Sequence, residues 1–146
     1  MSKSNTFEND LLLLVFNNTD IAGIGDAGGL QNSATAGSLY VSLHTADPGE
    51  AGDQTTSETA YTNYARVAVA RSGAGWTVTG NTVANAALVQ FAQCGVTGAT
   101  LTHFGVGTSA SGAGKLLYSG ALTSSLAVSS GIQPQFAAGD LDITED

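Results

Sequence analysis

The chain is short of charge and of cysteine, and each shortage excludes a class of protein. Only 11% of its 146 residues are charged, well below the roughly 25% of an ordinary soluble domain. A single cysteine, Cys94, permits neither an internal disulfide nor a cysteine-based zinc site. We expect Cys94 to be a small buried or half-buried apolar residue rather than a nucleophile. A surface with so little charge suits a protein that packs against other subunits.

Basic residues are the scarcest charged type. The sequence has four of them against twelve acidic residues, which gives a formal net charge of −8. The phosphate backbone of a nucleic acid would repel such a chain. We therefore expect no nucleic-acid partner.

Long hydrophobic runs are also missing. The longest apolar run, residues 11–16, has six residues, whereas a membrane-spanning helix needs about 20. Glu8 and Asp10 stand where a secretory signal would carry bases. We expect no membrane partner, and we expect the protein to be made in the cytoplasm of the cell that produces it.

One short helix is predicted to open the fold at residues 5–17. Asn5 can cap its first free amides, with Glu8 three residues later, and Asn17 and Asn18 favour a stop. The helix has more apolar width than a surface helix on a monomer needs. We therefore expect part of it to meet another subunit.

The segment after the helix, residues 19–38, is predicted to be a long loop. It is rich in Gly, Ala, Ser and Asn and shows almost no apolar period. Loops of this length in compact proteins are usually functional or mobile, so we expect it to share the interface with the helix. The predicted interface residues are Phe7, Leu11, Leu12, Leu14, Val15, Phe16, Ile21, Ile24 and Leu30.

Short strand patterns fill residues 39–144. The alternation at 39–44 predicts a strand with one buried and one wet face, and Gly80-Asn81 is typical of a tight hairpin turn. Eight or nine short strands with no helical pattern between them favour an all-β sandwich or barrel, in a single domain of residues 1–146. The predicted strands are 39–44, 64–71, 76–78, 82–91, 100–107, 115–118, 126–128, 132–136 and 141–144.

The residues that could carry chemistry form no recognisable catalytic or cofactor motif. His44 and His103 have no carboxylate at ligand spacing, which favours hydrogen-bonded surface or interface histidines over a metal site or a catalytic base. Residues 23–28 match Gly-x-Gly-x-x-Gly, but a helix precedes them and none follows, which favours a flexible loop over nucleotide binding. Asp140 and Asp142 favour the solvated face of a final strand over a cation site. We expect no catalytic residue, cofactor or metal.

Several segments resemble a family of small tailed-bacteriophage virion proteins, whose members are often labelled tail fibre proteins. The resemblance rests on strand and turn signatures at residues 39–50, 64–67, 102–106 and 136–144 and on Leu14-Val15-Phe16 near the end of the helix. The size, acidity and strand count are also similar to those of the jelly-roll cement proteins that clamp the outside of phage heads.

The resemblance implies a jelly-roll-like antiparallel sandwich and a structural role. The favoured function is a capsid cement or decoration protein on the outer surface of the head. It would bind the major capsid protein, associate with itself as a homodimer or homotrimer, and stabilise the shell by bridging neighbouring capsid subunits. The alternative is a small tail fibre or tail adaptor protein that binds a host glycan, for which the available rings are Trp76, Tyr40, Tyr61 and Tyr64.

Overall fold

The computed structural model describes residues 2–25 and 28–146. Within these ranges it is mostly antiparallel β-sheet with a single short helix, so the predicted all-β class with one N-terminal helix is confirmed. None of the helical structure in these ranges is long and apolar enough to cross a membrane. The elements are α1 (Asn5–Asn17), β1 (Ser38–His44), β2 (Val67–Ala70), β3 (Trp76–Thr79), β4 (Thr82–Asn85), β5 (Val89–Gln90), β6 (Ala99–Gly107), β7 (Leu116–Val128), β8 (Gln135–Phe136) and β9 (Asp142–Thr144).

The chain divides into two compact units, each assembled from separate stretches of sequence. Unit 1 comprises Met1–Ser38, Ala70–Leu88 and Phe136–Asp146, and unit 2 comprises Leu39–Val69 and Val89–Gln135. Unit 1 contains α1, β3, β4 and β9, while the other strands lie in unit 2 except for single residues at the boundaries. The single domain over residues 1–146 stays a prediction.

Unit 1 packs α1 against a three-stranded antiparallel sheet of order β3-β4-β9. Phe16 and Trp76 are fully buried there and meet edge to face, with ring centroids 4.9 Å apart. The turn between β3 and β4 consists of Gly80 and Asn81, and Gly80 has the positive φ of 61° that a two-residue hairpin turn requires at its first position. The predicted hairpin is therefore confirmed.

The N-terminal end of α1 differs by one residue from the sequence prediction. The capping residue is Ser4, whose hydroxyl oxygen accepts a hydrogen bond from the backbone N–H of Phe7 at 3.3 Å. The predicted cap, Asn5, is the first residue of the helix instead. A hydroxyl and an amide are both good caps, so the sequence pattern did not separate the two positions.

The C-terminal end of α1 is closed by Asn18 and by a distant arginine. Asn18 adopts the left-handed conformation, with φ 55°, which confirms the predicted stop. The guanidinium of Arg71 donates to the carbonyl oxygens of Leu14 and Val15, at 2.7 Å in each case. These bonds satisfy carbonyl groups that the end of a helix leaves without partners.

Unit 2 is built on a four-stranded sheet of order β2-β1-β6-β7. β1 and β6 are antiparallel, and their register runs from Tyr40 opposite Gly107 to His44 opposite His103. β6 and β7 are also antiparallel, but their register shifts twice. The predicted strands 115–118 and 126–128 are therefore two parts of the single 13-residue strand β7, because the extra residues are absorbed as irregularities rather than as a loop.

Strand β1 is buried on both faces, so the predicted wet face is wrong. Its apolar residues are buried as expected, but Ser42 and His44 are also 0% exposed. The reason is that the chain after β1 folds back beside the strand. The backbone N–H of Thr59 donates to the carbonyl of Leu43 at 2.9 Å, and His44 itself bonds to this returning segment.

Candidate functional site

The feature of unit 2 that most resembles a reactive site is a hydrogen-bonded serine and histidine on β1. Ser42 Oγ lies 2.8 Å from His44 Nε2, a separation at which a histidine can act as base toward a hydroxyl. His44 Nδ1 lies 2.9 Å from the carbonyl oxygen of Thr56. Because a carbonyl only accepts, Nδ1 carries the proton, and the Ser42 hydroxyl donates to Nε2.

This Ser42–His44 pair is structural, because no reactant can reach it. Both side chains are 0% exposed. Gly105 lies so close that a Cβ atom there would be 2.7 Å from Ser42 Oγ and from His44 Nε2. Burial also lowers the pKa of His44, which keeps the ring neutral and matched to its two partners. The pair satisfies its own polar atoms inside the core.

A second polar group in unit 2 is the ion pair between Arg66 and Glu58. The guanidinium Nε and Nη2 donate to the two carboxylate oxygens at 2.7 Å each, and the side chains are 2% and 16% exposed. The Tyr64 hydroxyl donates to Glu58 Oε1 at 2.8 Å. The hydrogen bonds that Arg66 donates to Glu58 raise the pKa of Arg66, and burial raises the pKa of Tyr64. Both residues therefore stay protonated at neutral pH, and each acts as a hydrogen-bond donor to Glu58.

These polar side chains hold the loop that connects β6 to β7. Arg66 donates through Nη1 to the carbonyl of Ser109 and through Nη2 to that of Gly112, at 2.8 Å each. Gln54 is fully buried and accepts from the backbone N–H of Ser109 at 2.9 Å. The loop, residues 108–114, has only small side chains and cannot bury an apolar anchor of its own. Its shape is therefore fixed by the polar groups that contact its backbone.

An open groove of about 540 Å³ runs beside the first half of β7. One wall contains Asp47 and Glu50, from the turn after β1, and the other contains residues 116–121 of β7, with His103 between them in the lining. Gly49, within that turn, has φ 68°, a conformation that glycine adopts without steric cost. No group of three potential metal ligands occurs in the described ranges. The groove offers hydrogen-bonding groups and the side of a strand. These features are typical of a surface that contacts another protein.

The predicted interface residues are placed in two different environments. Leu12 and Phe16 are 0% exposed and Ile21 is 2% exposed, so the prediction is corrected for these three, which are core residues of unit 1. Leu12 and Phe16 are buried because α1 packs on β3 and β4. Phe7, Ile24 and Leu30 remain 37%, 37% and 43% exposed, while Leu11, Leu14 and Val15 are half-buried. Contact of these six residues with a partner stays a prediction.

The rings considered for glycan binding are largely internal. Trp76 is 0% exposed and Tyr61 is 2% exposed, and the Tyr61 hydroxyl donates to the carbonyl of Ala92 at 2.9 Å. Tyr40 and Tyr64 are half-buried. A sugar platform needs exposed ring faces, so Trp76 and Tyr61 do not supply one.

The remaining candidates are placed as follows. Cys94 is 3% exposed, which confirms a buried thiol, and His103 is half-buried, with Nδ1 2.9 Å from Thr102 Oγ1. Asp142 is exposed on β9 beside buried neighbours, as the alternation predicts. The glycine pattern at 23–28 lies partly outside the described residues.

The Ser42–His44 pair and the Arg66–Glu58 network were missed by sequence reasoning. The one available signal was the spacing of Ser42 and His44, since residues two apart in a strand share a face. Nothing in the local pattern indicated that the face was covered. The partners of Arg66 at positions 58, 109 and 112 lie 8, 43 and 46 residues away in sequence, so the network produces no periodic pattern.

Comparison with known proteins places nearly the whole chain in one family. A family model described as Podophage GP4 fiber I protein gp80 matches residues 2–144. No curated protein matches the chain.

Proposed function

The chain belongs to this podophage fibre protein family and is a structural protein of the phage virion, and from that premise we propose that it is a small, non-catalytic subunit of the fibre apparatus. It acts by holding a fixed shape and by packing against other virion subunits. The role needs complementary surfaces rather than reactive groups.

The observation that carries this proposal is the distribution of charge. Residues 72–139 contain one charged residue, Lys115. Depletion of charge is the compositional mark of the buried centre of a protein interface. A stretch of this length with a single charge supports a protein that is surrounded by other subunits when it works.

The non-catalytic part of the proposal rests on how the polar side chains of unit 2 are used. Ser42 and His44 bond to one another and to the backbone. Arg66 and Glu58 bond to one another and to the loop at 108–114. Groups that are buried and already paired support the fold and have no free capacity for a substrate.

A second candidate is a capsid cement protein on the outer surface of the head that bridges copies of the major capsid protein. The observation in its favour is the absence of a fixed-period repeat in the sequence, because a fibre shaft is normally built from such repeats. As a fibre component, the chain would serve as a tip or an adaptor. Glycan binding has less support, since Trp76 and Tyr61 are buried.

Cryo-electron microscopy of virions that carry this protein tests the proposal. We expect density for the two units at the fibres or at the site where the fibres attach. Copies arrayed over the head would overturn the fibre assignment in favour of the cement role. Virions that lack the chain altogether would overturn both.

A further inference from the structure

One face of the four-stranded sheet in unit 2 is covered by its own chain only in part. His44, His103 and Ala121 stand opposite one another in turn across β1, β6 and β7, so their side chains lie on the same face of the sheet. His44 is 0% exposed, because the segment that returns after β1 lies against it and places the Thr56 carbonyl 2.9 Å from its ring. His103 is half-buried and Ala121 is exposed. The cover therefore ends between β1 and β7.

The groove of about 540 Å³ lies where this cover ends, since both His103 and Ala121 line it. Sites for organic ligands typically have volumes of about 300–1,000 Å³, so the groove is large enough for a short segment of chain. Small side chains in the lining let such a segment approach the backbone of the groove. The lining residues with little or no side chain are Gly49, Gly52, Ser119, Gly120 and Ala121.

The charged side chains in the lining are all acidic. Asp47 and Glu50 line the groove and are exposed, and in the ranges that the structure describes neither carboxylate has an ion-pair partner. The other two acidic residues of unit 2 are already used. Glu58 pairs with Arg66, and Asp53 accepts hydrogen bonds within its own turn. The acidic charge of unit 2 that its own side chains leave uncompensated is therefore concentrated at the groove.

This charge favours a basic segment of another protein as the occupant. Each chain carries a formal net charge of −8, which repels a second copy and attracts a basic partner. A lysine or arginine side chain can place its charged end beside Asp47 or Glu50. Its aliphatic stem can lie along Leu117, which lines the same groove and is 37% exposed. Lys115, the base of unit 2 that Glu58 does not hold, is outside the lining.

We propose that the groove between residues 47–52 and the first half of β7 is the docking site for a basic segment of another virion protein. The inference rests on the proposed structural role for the source of that segment, whereas binding is a property of the isolated protein. Loss of the fibre assignment would leave the ligand chemistry of the groove unchanged, and absence of binding would leave the fibre assignment unchanged.

Fluorescence anisotropy tests the charge of the site, with a short rhodamine-labelled peptide of alternating glycine and arginine as the probe, in about 0.15 M salt. We expect the unmodified protein to bind it, and Asp47→Asn combined with Glu50→Gln to weaken binding by about tenfold or more. The amide oxygen at position 47 can still accept from the backbone N–H of Gly49, as Asp47 does at 2.9 Å.

The matched control is Asp10→Asn combined with Asp142→Asn, which removes the same formal charge from unit 1. We expect it to change binding by less than about twofold, because the peptide does not contact these residues. Equal weakening by the two double variants would show that the peptide responds only to net charge and would overturn the proposal. Absence of binding at peptide concentrations up to about 1 mM would also overturn it.

A second variant tests the groove without changing charge. Ala121→Leu fills the groove and should weaken binding of the same peptide by about tenfold or more, whereas Ser125→Leu, on the same strand but outside the lining, should not. Circular dichroism should show the same fold for both variants. Normal binding by Ala121→Leu would overturn the proposal.

Amide NMR spectra locate the peptide on the unmodified protein. We expect the shifts to be confined to residues 47–52, 103 and 116–121, and shifts confined to the acidic C-terminal residues 140–146 would overturn the site. Sedimentation equilibrium without peptide tests the other occupant. A dimer that Ala121→Leu abolishes would place a second copy in the groove and would overturn the basic partner.

Discussion

In unit 1 the buried side chains are almost all apolar, whereas in unit 2 buried polar side chains hold the segment that returns after β1 and the loop at 108–114. The core of unit 1 includes Leu12, Phe16, Trp76, Val83, Leu141 and Ile143, with Asn85 and Glu8 as the buried polar residues. Unit 2 buries Ser42, His44, Gln54 and Thr59 beside its apolar core. The difference teaches that a helix can bring apolar area to a core, but loops of small residues must be fixed by hydrogen bonds.

The units also differ in charge. Unit 1 contains eight of the twelve acidic residues, and its two bases are Lys3 and Arg71. In unit 2 the stretch Val89–Gln135 contains only Lys115. With eight acidic residues against two bases, unit 1 resists close approach by another copy more strongly than unit 2, which has four acidic residues against two bases.

The largest effect on stability is expected from truncating Phe16, which removes its aromatic contact with Trp76 in unit 1. Phe16→Ala should lower the free energy of unfolding by about 3–5 kcal/mol, because it leaves a cavity beside Trp76. Urea unfolding followed by tryptophan fluorescence measures this loss in the free energy of unfolding, since Trp76 is the one tryptophan. Phe7→Ala, on the exposed side of the same helix, is the control and should cost less than about 1 kcal/mol. Similar losses in both variants would contradict the described core.

The same experiment can test whether the units unfold together. All four tyrosines, Tyr40, Tyr61, Tyr64 and Tyr118, lie in unit 2, so tyrosine absorbance reports on unit 2 and Trp76 fluorescence on unit 1. Coincident transitions in the two signals indicate one cooperative domain. Separate transitions would contradict the single-domain prediction.

The next effect concerns the ion pair of unit 2. Arg66→Met should destabilise unit 2 by about 2–4 kcal/mol, because Glu58 and two loop carbonyls lose their partner. Unfolding followed by tyrosine absorbance measures the loss. The double variant Arg66→Met with Glu58→Leu should recover part of it, since no unpaired carboxylate remains. If the double variant is as unstable as the sum of both single variants, the two side chains do not act as a pair.

A smaller effect is expected from adding one methyl group beneath the buried glutamine. A Cβ at Gly107 would lie 2.2 Å from Gln54 Cδ, so Gly107→Ala should displace Gln54 and cost about 1–3 kcal/mol. Gly73→Ala in unit 1 is the matched control, because nothing lies within 4 Å of its Cβ position. Calorimetric melting of both variants makes the comparison. A Gly107→Ala protein as stable as the control would show that Gln54 is free to move.

The smallest effect is a pH dependence from His44. Burial lowers its pKa in the folded state below the usual 6.5, so near that value the unfolded chain binds the proton more readily. Stability should therefore fall as the pH drops from about 6.5 toward the folded-state pKa, by at most about 1.4 kcal/mol per pH unit. Urea midpoints between pH 7.5 and pH 5, compared with His44→Gln, isolate this term. Parallel pH profiles of the two proteins would contradict it.

Local patterns in the sequence predicted much of the secondary structure. The helix covers the predicted residues 5–17, and β1, β3 and β6 match their predicted ranges to within one residue at each end. These elements depend on caps, turns and alternation between neighbouring residues. Strand 82–91 is divided into β4 and β5, because the alternation continues through residues that pair with different strands.

The candidate site could be predicted only in part. The sequence placed Ser42 and His44 on one face of β1, but that face is closed by a returning segment whose Thr56 carbonyl lies 12 residues away. It favoured Leu12 and Phe16 as interface residues, yet Trp76 covers Phe16 inside the chain. An apolar side chain has the same pattern whether its own chain or a partner covers it.

By itself, therefore, the sequence determined the all-β class, the N-terminal helix, the hairpin at Gly80-Asn81 and the shortage of charge, because each depends on local geometry or on composition. The tertiary structure alone decided that Ser42 and His44 are buried, that Arg66 holds the loop at 108–114, and that Asp47 and Glu50 line a groove beside β7. These features depend on contacts between residues far apart in the chain. Such contacts are fixed by how the elements pack, so local sequence patterns do not predict them.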